Sequence, residues 1–457
     1  MSRAGGRSGG RSGGRALDVT LVLSVVLPLL VGLAMFLTNP GFGTPYFHPP
    51  TTPRLTAATL VCPVPLGGGD QVGIASARSG TVSAGGQSVS VAQGGVGAVR
   101  AGSGPVVLTA SGATAPGLVA TRSSTSPLAA TGCVAPREDQ WFTGVGAGPA
   151  HDSFVELVNP NDGPAIADIT VFGDAGPVDV PALRGIAIAG HGSEELDLGT
   201  VMPSQGTFAL HATVQLGQVA IAVRDRAARL VGNSHNDDWL PAQTRPGRHA
   251  LLLGLAPGSG SRQLTVANAS DQEVTATVKF VTANSVFAPD NAPTLDIGPQ
   301  SVARADLGQL LDSQVAAGVL GIQVVATGPV TATLRSAIKG DISITGRSQR
   351  TAGPTSIVVP TGTKQLIVGG ANHVGALTVV ARDAAGKQLS SRRVAITPLQ
   401  ALSVTIPRGA VRIDVTPERT KFRGSVVVTA GNGATILPLQ RPRLTGRVPY
   451  VKPGLPR

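Results

Sequence analysis

Residues 154–160 read FVELVNP and residues 263–269 read QLTVANA, and these two stretches occupy matching positions in two similar parts of the chain. With Asn159 set on Asn268, the Asp-Leu-Gly sequence at 197–199 falls without a gap on the Asp-Leu-Gly sequence at 306–308. With two further residues inserted, 219–224 (VAIAVR) matches 330–335 (VTATLR). Several matches in one register indicate an internal repeat, which is the signature of a chain built from similar units.

The repeated units are β structure. In 274–280 (VTATVKF), apolar residues alternate with polar ones, which is typical of a half-buried antiparallel strand. Turn-forming residues separate the strands, for example at 159–163 (NPNDG). A unit of about 100 residues with about seven short strands predicts an immunoglobulin-like β-sandwich. The expected fold is therefore mainly β, with one N-terminal transmembrane helix followed by tandem sandwiches.

These observations set the expected domain boundaries. A small β domain occupies 56–145 and is followed by two sandwich repeats at 146–250 and 251–352. A third, degenerate repeat at 353–437 lacks the Asp-Leu-Gly element, and a basic, proline-rich tail covers 438–457.

The N-terminus predicts a membrane anchor. Residues 1–15 carry four arginines among glycine and serine, and residues 19–37 are uncharged and apolar. A helix at 16–38 would cross the bilayer, and a proline-rich spacer at 39–55 would follow it. Positive charge stays inside, so the N-terminus would be cytoplasmic, the bulk of the chain extracytoplasmic and the protein single-pass. The alternative is a cleaved signal peptide, although the run is longer than the usual core and ends without a small-x-small site.

Composition restricts the partners. The net charge is +11 and aromatic residues make up only 3% of the chain. A basic exterior favours anionic phospholipid or wall polymers, or it is simply a solvated surface. The Arg-Ser-Gly-Gly repeat has no aromatic residues to stack on bases, so nucleic acid is not an expected partner.

The chain has two cysteines, Cys62 and Cys133, and both would lie outside the cytoplasm. An even pair in an oxidising compartment predicts a disulfide.

No motif predicts an enzyme. The chain has no nucleophile elbow, no zinc-protease helix, no phosphate-binding loop and no dinucleotide fingerprint. The seven histidines are scattered, and none stands at a metal-ligand spacing from another. We therefore expect no catalytic residue, no cofactor and no metal.

The richest polar cluster is 234–239 (SHNDDW). His235, Asp237, Asp238 and Trp239 could bind a sugar, with the indole stacking on the ring and the acids binding hydroxyls. The alternative is a polar turn before a strand, with Trp239 filling a gap between domains. Two further pairs recur at matched repeat positions, Arg224 with Arg335 and Asp197 with Asp306; an internal ion pair explains them more simply than a ligand clamp.

The chain resembles a family of actinobacterial membrane-anchored envelope proteins defined only as a domain of unknown function. The resemblance rests on the arginine-rich N-terminus with its single span, CP at 62–63, WFTG at 141–144, VNP at 158–160 and DWLP at 238–241. It covers most of residues 56–440. It implies a cell-envelope setting and no established activity.

Together these features predict a non-enzymatic, membrane-anchored protein of the cell envelope that acts as a scaffold or adaptor for other envelope proteins. The alternative is a module that binds wall polysaccharide. A second alternative is an envelope hydrolase of unrecognised type.

Overall fold

The alternating stretches form strands, and the structure, a computed structural model, describes residues 19–38, 52–100, 102–203, 206–228 and 235–446. Arg54–Thr445 forms one compact unit. The predicted tail at 1–15, the spacer up to residue 51 and the C-terminal tail from residue 447 lie outside the described residues.

Helix α1 spans Val19–Thr38 and belongs to the part of the chain outside the compact unit. A membrane crossing needs about 20 consecutive apolar residues in one helix. None of the helices within the described residues meets the length and apolarity that a crossing requires. The predicted transmembrane helix at 16–38 is therefore wrong.

The strands of the compact unit fall into four consecutive groups, blades 1 to 4, each with its own apolar core. Blade 1 contains β1 (Ala57–Cys62), β2 (Gln71–Ala75), β3 (Gly80–Ala84), β4 (Gln87–Val91), β5 (Gly97–Val99), β6 (Val106–Ser111), β7 (Val119–Thr125) and β8 (Leu128–Gly132), with a 3-10 turn at Gly112–Thr114. They form two four-stranded sheets in the orders β1-β6-β3-β4 and β5-β2-β7-β8.

The predicted disulfide is confirmed in blade 1. Cys62 ends β1, Cys133 directly follows β8, and the two are joined by a disulfide. Both residues pack in the blade core with Val72, Ile74 and Leu108. The covalent bond therefore ties the first strand of the blade to its end.

Blade 2 contains β9 (Asp139–Gly148), β10 (His151–Val158), β11 (Ala165–Gly173), β12 (Gly176–Val178), β13 (Ile186–Ile188), β14 (Ser193–Asp197), β15 (Thr207–Leu216), β16 (Ala220–Ala228) and β17 (His235–Leu240), with helix α2 (Leu198–Val201) and a 3-10 turn at Pro181–Leu183. The main order is β12-β11-β15-β9-β10-β16-β17, with β13 on β11 and β14 on β10. The core contains Phe142, Val155, Leu157 and Phe208.

Blade 3 contains β18 (Gly247–Leu253), β19 (Ser261–Asn268), β20 (Val274–Thr282), β21 (Val286–Phe287), β22 (Thr294–Ile297), β23 (Val302–Asp306), β24 (Val319–Ile338) and β25 (Asp341–Gly346), with helix α3 (Gly308–Asp312) and a 3-10 turn at Gln314–Ala316. The first half of β24 pairs with β18 and β20, and its second half pairs with β19 and β25. One long strand thus runs through both halves of this blade.

Blade 4 contains β26 (Thr355–Val358), β27 (Thr363–Gly369), β28 (Gly375–Arg382), β29 (Gln388–Ile396), β30 (Ala401–Ile406), β31 (Arg412–Glu418), β32 (Arg423–Ala430) and β33 (Gly433–Pro438). Its sheets have the orders β26-β31-β28-β29 and β30-β27-β32-β33. Leu366, Leu377 and Phe422 are fully buried between them.

Small apolar clusters join each blade to the next and close a ring. Val61 packs on Val158 between blades 1 and 2, and Trp141 packs with Val302 between blades 2 and 3. Residues of blades 3 and 4 meet in two further clusters. Ala75 and Val119 of blade 1 pack on Val358 of blade 4. The last blade therefore contacts the first.

The arrangement is a four-bladed β-propeller, and the predicted row of tandem immunoglobulin-like sandwiches is wrong. The prediction of mainly β structure was correct in class but not in architecture. Strand alternation reports which face of a strand is buried, and it carries no information about whether successive units follow a line or close into a ring. The apolar residues between blades decide whether the units close into a ring.

Candidate functional site

The last strands of all four blades meet at the centre of the ring. Each of β8, β17, β25 and β33 forms a hairpin with the strand before it. β8 packs on β17 and β33, and β25 also packs on β17 and β33. Side chains at these strands come together although they are far apart in sequence.

A small cavity lies between the hairpin ends of blades 3 and 4. We call it the axial pocket, and its volume is about 150 Å³. Its polar side chains are Lys339, Asp341, Ser343, Thr429 and Asn432. Ile338 and the turns at 256–258 and 431–434 complete the wall. The axial pocket is smaller than typical small-molecule sites of roughly 300–1,000 Å³, but several polar groups converge in it, as they do in binding sites.

Asp341 is the charged group of the axial pocket. Its Oδ2 atom accepts a hydrogen bond from the Ala434 amide at 2.8 Å. Burial raises the pKa of Asp341 to about 6, although hydrogen bonds from the Ala434 and Ile342 amides oppose the shift. The carboxyl is therefore mostly ionised at neutral pH and gains its proton in mild acid.

Asp238 is a buried carboxyl on β17. Only 2% of the residue is exposed, and its oxygens accept hydrogen bonds from the amides of Trp239 at 2.8 Å and Ile344 at 3.2 Å. Burial raises the pKa of Asp238 well above its ordinary value, and the charges of Asp341 and Asp225 act in the same direction. Burial therefore favours the protonated form of this carboxyl.

Asp225 lies directly opposite Asp238 in the β16–β17 pair and carries a charge. Its oxygens contact His151 Nε2 at 2.6 Å, accept from the Ser153 hydroxyl at 2.9 Å and accept from Arg335 Nε at 2.7 Å. Burial alone would raise the pKa of Asp225, but His151 and Arg335 outweigh it and hold the pKa below its ordinary value. The pKa values of two neighbouring carboxyls are thus shifted in opposite directions.

The geometry around Asp225 is not that of an activated serine. Ser153 donates its proton to the Asp225 carboxylate, and His151 contacts the same oxygen atom. A nucleophilic serine would instead donate to the histidine, which would remove its proton. We conclude that His151, Ser153 and Arg335 hold the charge of Asp225 in place.

The strand period separates the four residues that the sequence singled out. Asp237 is 3% exposed and pairs with Arg226 Nε at 3.2 Å. Trp239 is 4% exposed, and its Nε1 atom has no hydrogen-bond partner. Asp238 lies between them on β17, so its side chain points to the opposite face, where it interacts with the carboxyls of Asp225 and Asp341. His235 begins β17, but its side chain lies outside the described residues.

Trp239 therefore offers no open face on which a sugar ring could stack. It lies opposite Arg224 in the β16–β17 pair. The Arg224 guanidinium in turn lies 4.1 Å from the centre of the Phe154 ring. On this face of blade 2, arginine side chains, aromatic rings and Asp237 thus pack against one another.

The repeated arginines and aspartates do not pair with each other. Arg335 pairs with Asp225, while Arg224 contacts Glu195 at 3.4 Å. Asp197 and Asp306 instead accept backbone amides at the start of helices α2 and α3. Their recurrence reflects an equivalent turn in the two blades.

Sequence reasoning missed Asp225, Asp341 and His151. The signal was present, because Asp225 shares the buried face of an alternating strand with Ile221 and Val223. A charged residue at such a position needs a partner from another element. Across the described part of the chain, no group of three or more histidine, cysteine, aspartate or glutamate side chains is placed to hold a metal.

Comparison with known proteins gives a family of unknown function. No curated protein matches the chain. Residues 89–407, well over half of the chain, match a family of unknown function (DUF5719), and the chain belongs to this family.

Proposed function

We propose that this protein is a non-enzymatic scaffold of the cell envelope that holds other envelope proteins on a rigid ring. The observation that carries the proposal is the closure of blade 4 on blade 1. Arg412 of blade 4 donates from Nη1 to the Ser76 carbonyl at 3.0 Å, and Gln440 donates to the Ala120 carbonyl at 3.1 Å. A closed ring keeps its outer faces at fixed distances, which is what a scaffold requires.

The disulfide supports a place outside the cytoplasm. Cys62 and Cys133 form one bond, and no free cysteine occurs in the described chain. Disulfides persist in oxidising compartments and are rare where glutathione keeps thiols reduced. An actinobacterial envelope, the setting that the family resemblance implies, provides such a compartment.

The scaffold proposal is tested by crosslinking in intact cells, followed by purification through a C-terminal tag and mass spectrometry. The expected result is one reproducible set of envelope proteins. Their recovery should fall when the contact between blades 4 and 1 is weakened by Arg412→Ala with Gln440→Ala. The proposal is wrong if no protein is enriched over a strain that carries the tag alone.

Binding of wall polysaccharide is the second candidate function, and the axial pocket favours it. Asp341, Ser343 and Asn432 offer a carboxylate, a hydroxyl and an amide in one small cavity. Such groups hydrogen-bond sugar hydroxyls. Calorimetry with solubilised wall glycan should show saturable binding that Asp341→Asn weakens. Asp290→Asn is the matched control, because Asp290 is exposed on the same blade. Equal binding by both variants would exclude the axial pocket as the glycan-binding site.

A further inference from the structure

Two blades on opposite sides of the ring carry opposite charge. Residues 138–240 of blade 2 contain fourteen acidic and four basic residues. Residues 353–437 of blade 4 contain three acidic and ten basic residues. In a closed ring of four, the second and fourth blades face away from each other. The molecule therefore has an acidic end and a basic end.

The charges lie at the surface. The exposed basic residues of blade 4 are Lys387, Arg392, Arg393, Arg408, Arg419 and Lys421. All three of its acidic residues are partly buried. The exposed acidic residues of blade 2 are Glu138, Asp139, Asp162, Asp174, Asp179, Glu194 and Glu195. Some of these charges have partners within their own blade, such as Glu195 with Arg224 and Arg393 with Glu418. The surplus of each sign at its end is available to another molecule.

Each end also has an open strand edge. β29 is the last strand of the sheet β26-β31-β28-β29, and β14 pairs only with β10 among the described strands. An edge strand presents unpaired amide and carbonyl groups that can pair with another strand. Arg392 and Arg393 lie on β29, and Glu194 and Glu195 lie on β14.

The signs of these charges select one pairing. Two β29 edges would place arginines against arginines, and two β14 edges would place glutamates against glutamates. Like charges on paired strands repel, whereas opposite charges attract. The combination of β14 with β29 is the attractive one.

We propose that β14 of one copy of this chain pairs with β29 of a second copy, head to tail. Because the two edges lie on opposite blades, a pair of copies still has one free edge of each kind. Such heterologous contacts continue into open chains unless the rotation happens to close a larger ring. The inference goes beyond the proposed scaffold function and does not depend on it.

Sedimentation velocity of the full-length protein tests the proposal. At about 30 mM salt, where charges act over a long range, the mean mass should rise with protein concentration. At about 500 mM salt the mass should fall toward that of the monomer. Association through apolar surface, such as that of α1, would not weaken in this way, because salt does not screen burial of apolar groups. A mass that is independent of salt would overturn the proposal.

Two neutralising variants test the edges themselves. Glu194→Gln with Glu195→Gln, and Arg392→Gln with Arg393→Gln, should each sediment as monomers at low salt. Mixed together, they should form a complex with a mass of two copies that does not grow further, since one intact edge of each kind remains. The proposal fails if either variant alone still assembles, or if the mixture stays monomeric.

A third variant separates edge pairing from general charge. Arg419→Gln with Lys421→Gln removes the same number of charges from exposed positions of blade 4 that are not part of β29. It should retain assembly at low salt. Loss of assembly as complete as in the β29 variant would show that no strand pairing is involved. Circular dichroism of each variant should match that of the unmodified protein.

Discussion

At the scale of single residues, the carboxyls of Asp225 and Asp238 show how burial and partners shift pKa values in opposite directions. Asp225 and Asp238 are adjacent across two strands and are both almost fully buried. Asp225 has a guanidinium and an imidazole against it, while Asp238 has only backbone amides. Sequence analysis singled out Asp238 but not Asp225. The reason is that the His151 and Arg335 side chains, which lower the pKa of Asp225, come from the distant strands β10 and β24.

Asp225→Asn should destabilise the fold strongly. The change removes the carboxylate charge and leaves the Arg335 guanidinium without its counter-charge. Breaking one side of a buried ion pair costs about 3–5 kcal/mol in free energy of unfolding. Urea unfolding at pH 7 measures the change, and exposed Asp290→Asn serves as the control. A loss no larger than that of the control would show that the Asp225 cluster contributes no stability.

Glu156 predicts a pH dependence at the contact between blades 1 and 2. Its Oε2 atom accepts from the Val64 amide at 3.0 Å, and Oε1 is buried without a partner. Burial raises the pKa of Glu156 from 4.5 to about 7, and the charge of Glu195 adds to the shift. The folded state therefore holds this proton more tightly than the unfolded chain does.

The direction of the pH effect on stability follows from the linkage between protonation of Glu156 and folding. The stabilising contribution of the Glu156 proton is complete below pH 4.5 and is lost as the pH rises through about 7. Because each pKa unit corresponds to about 1.4 kcal/mol, the loss is on the order of 3 kcal/mol. Urea unfolding between pH 4.5 and pH 8.5 measures it. Glu156→Gln should flatten the profile in this range, and an unchanged slope would refute the assignment to Glu156.

At the scale of elements, Asn159 and Asn268 confirm that the matched segments are equivalent. Each Nδ2 atom donates to the carbonyl four residues later and to the carbonyls 29 and 30 residues later. Each amide oxygen accepts a backbone amide two residues on. Strand ends and turns of this kind were open to sequence reasoning, because local pattern and local hydrogen bonding define them.

Asn159→Ala and Asn268→Ala should therefore have equal effects. Each leaves buried carbonyls without a donor, at a cost of about 2–3 kcal/mol in unfolding free energy. Thermal and urea unfolding of the two variants measure the effect, with exposed Asn284→Ala as control. Clearly unequal losses of unfolding free energy would mean that Asn159 and Asn268 do not have equivalent structural roles.

The disulfide gives a second prediction at this scale. Cys62 and Cys133 are 71 residues apart in sequence. Closing a loop of that length removes unfolded-chain entropy worth about 4 kcal/mol. Cys62→Ala with Cys133→Ala should lower the free energy of unfolding by about that amount, as measured by urea unfolding. A loss below about 1 kcal/mol would exclude this loop-closure contribution.

At the scale of the whole molecule, the ring could not be read from the sequence. The clusters between blades are small and join distant segments: Trp141, for example, stacks on Phe172 at 5.2 Å and on His211 at 4.2 Å beside Ala267 and Val302 of the next blade. No period along the chain marks such residues. The axial pocket was hidden for a similar reason, since its walls come from turns of two different blades.

Closure of the ring is the central claim, and an engineered disulfide between blades 1 and 4 tests it most directly. A Cβ atom added at Gly73 would lie 3.8 Å from the Val358 Cβ. That distance equals the mean of about 3.8 Å between Cβ atoms in disulfides. Gly73→Cys with Val358→Cys should form a crosslink that peptide mapping under non-reducing conditions detects. Gly73→Cys with Val374→Cys, at an exposed site of blade 4, should not. Failure of the first pair to oxidise in folded protein would contradict the closed ring.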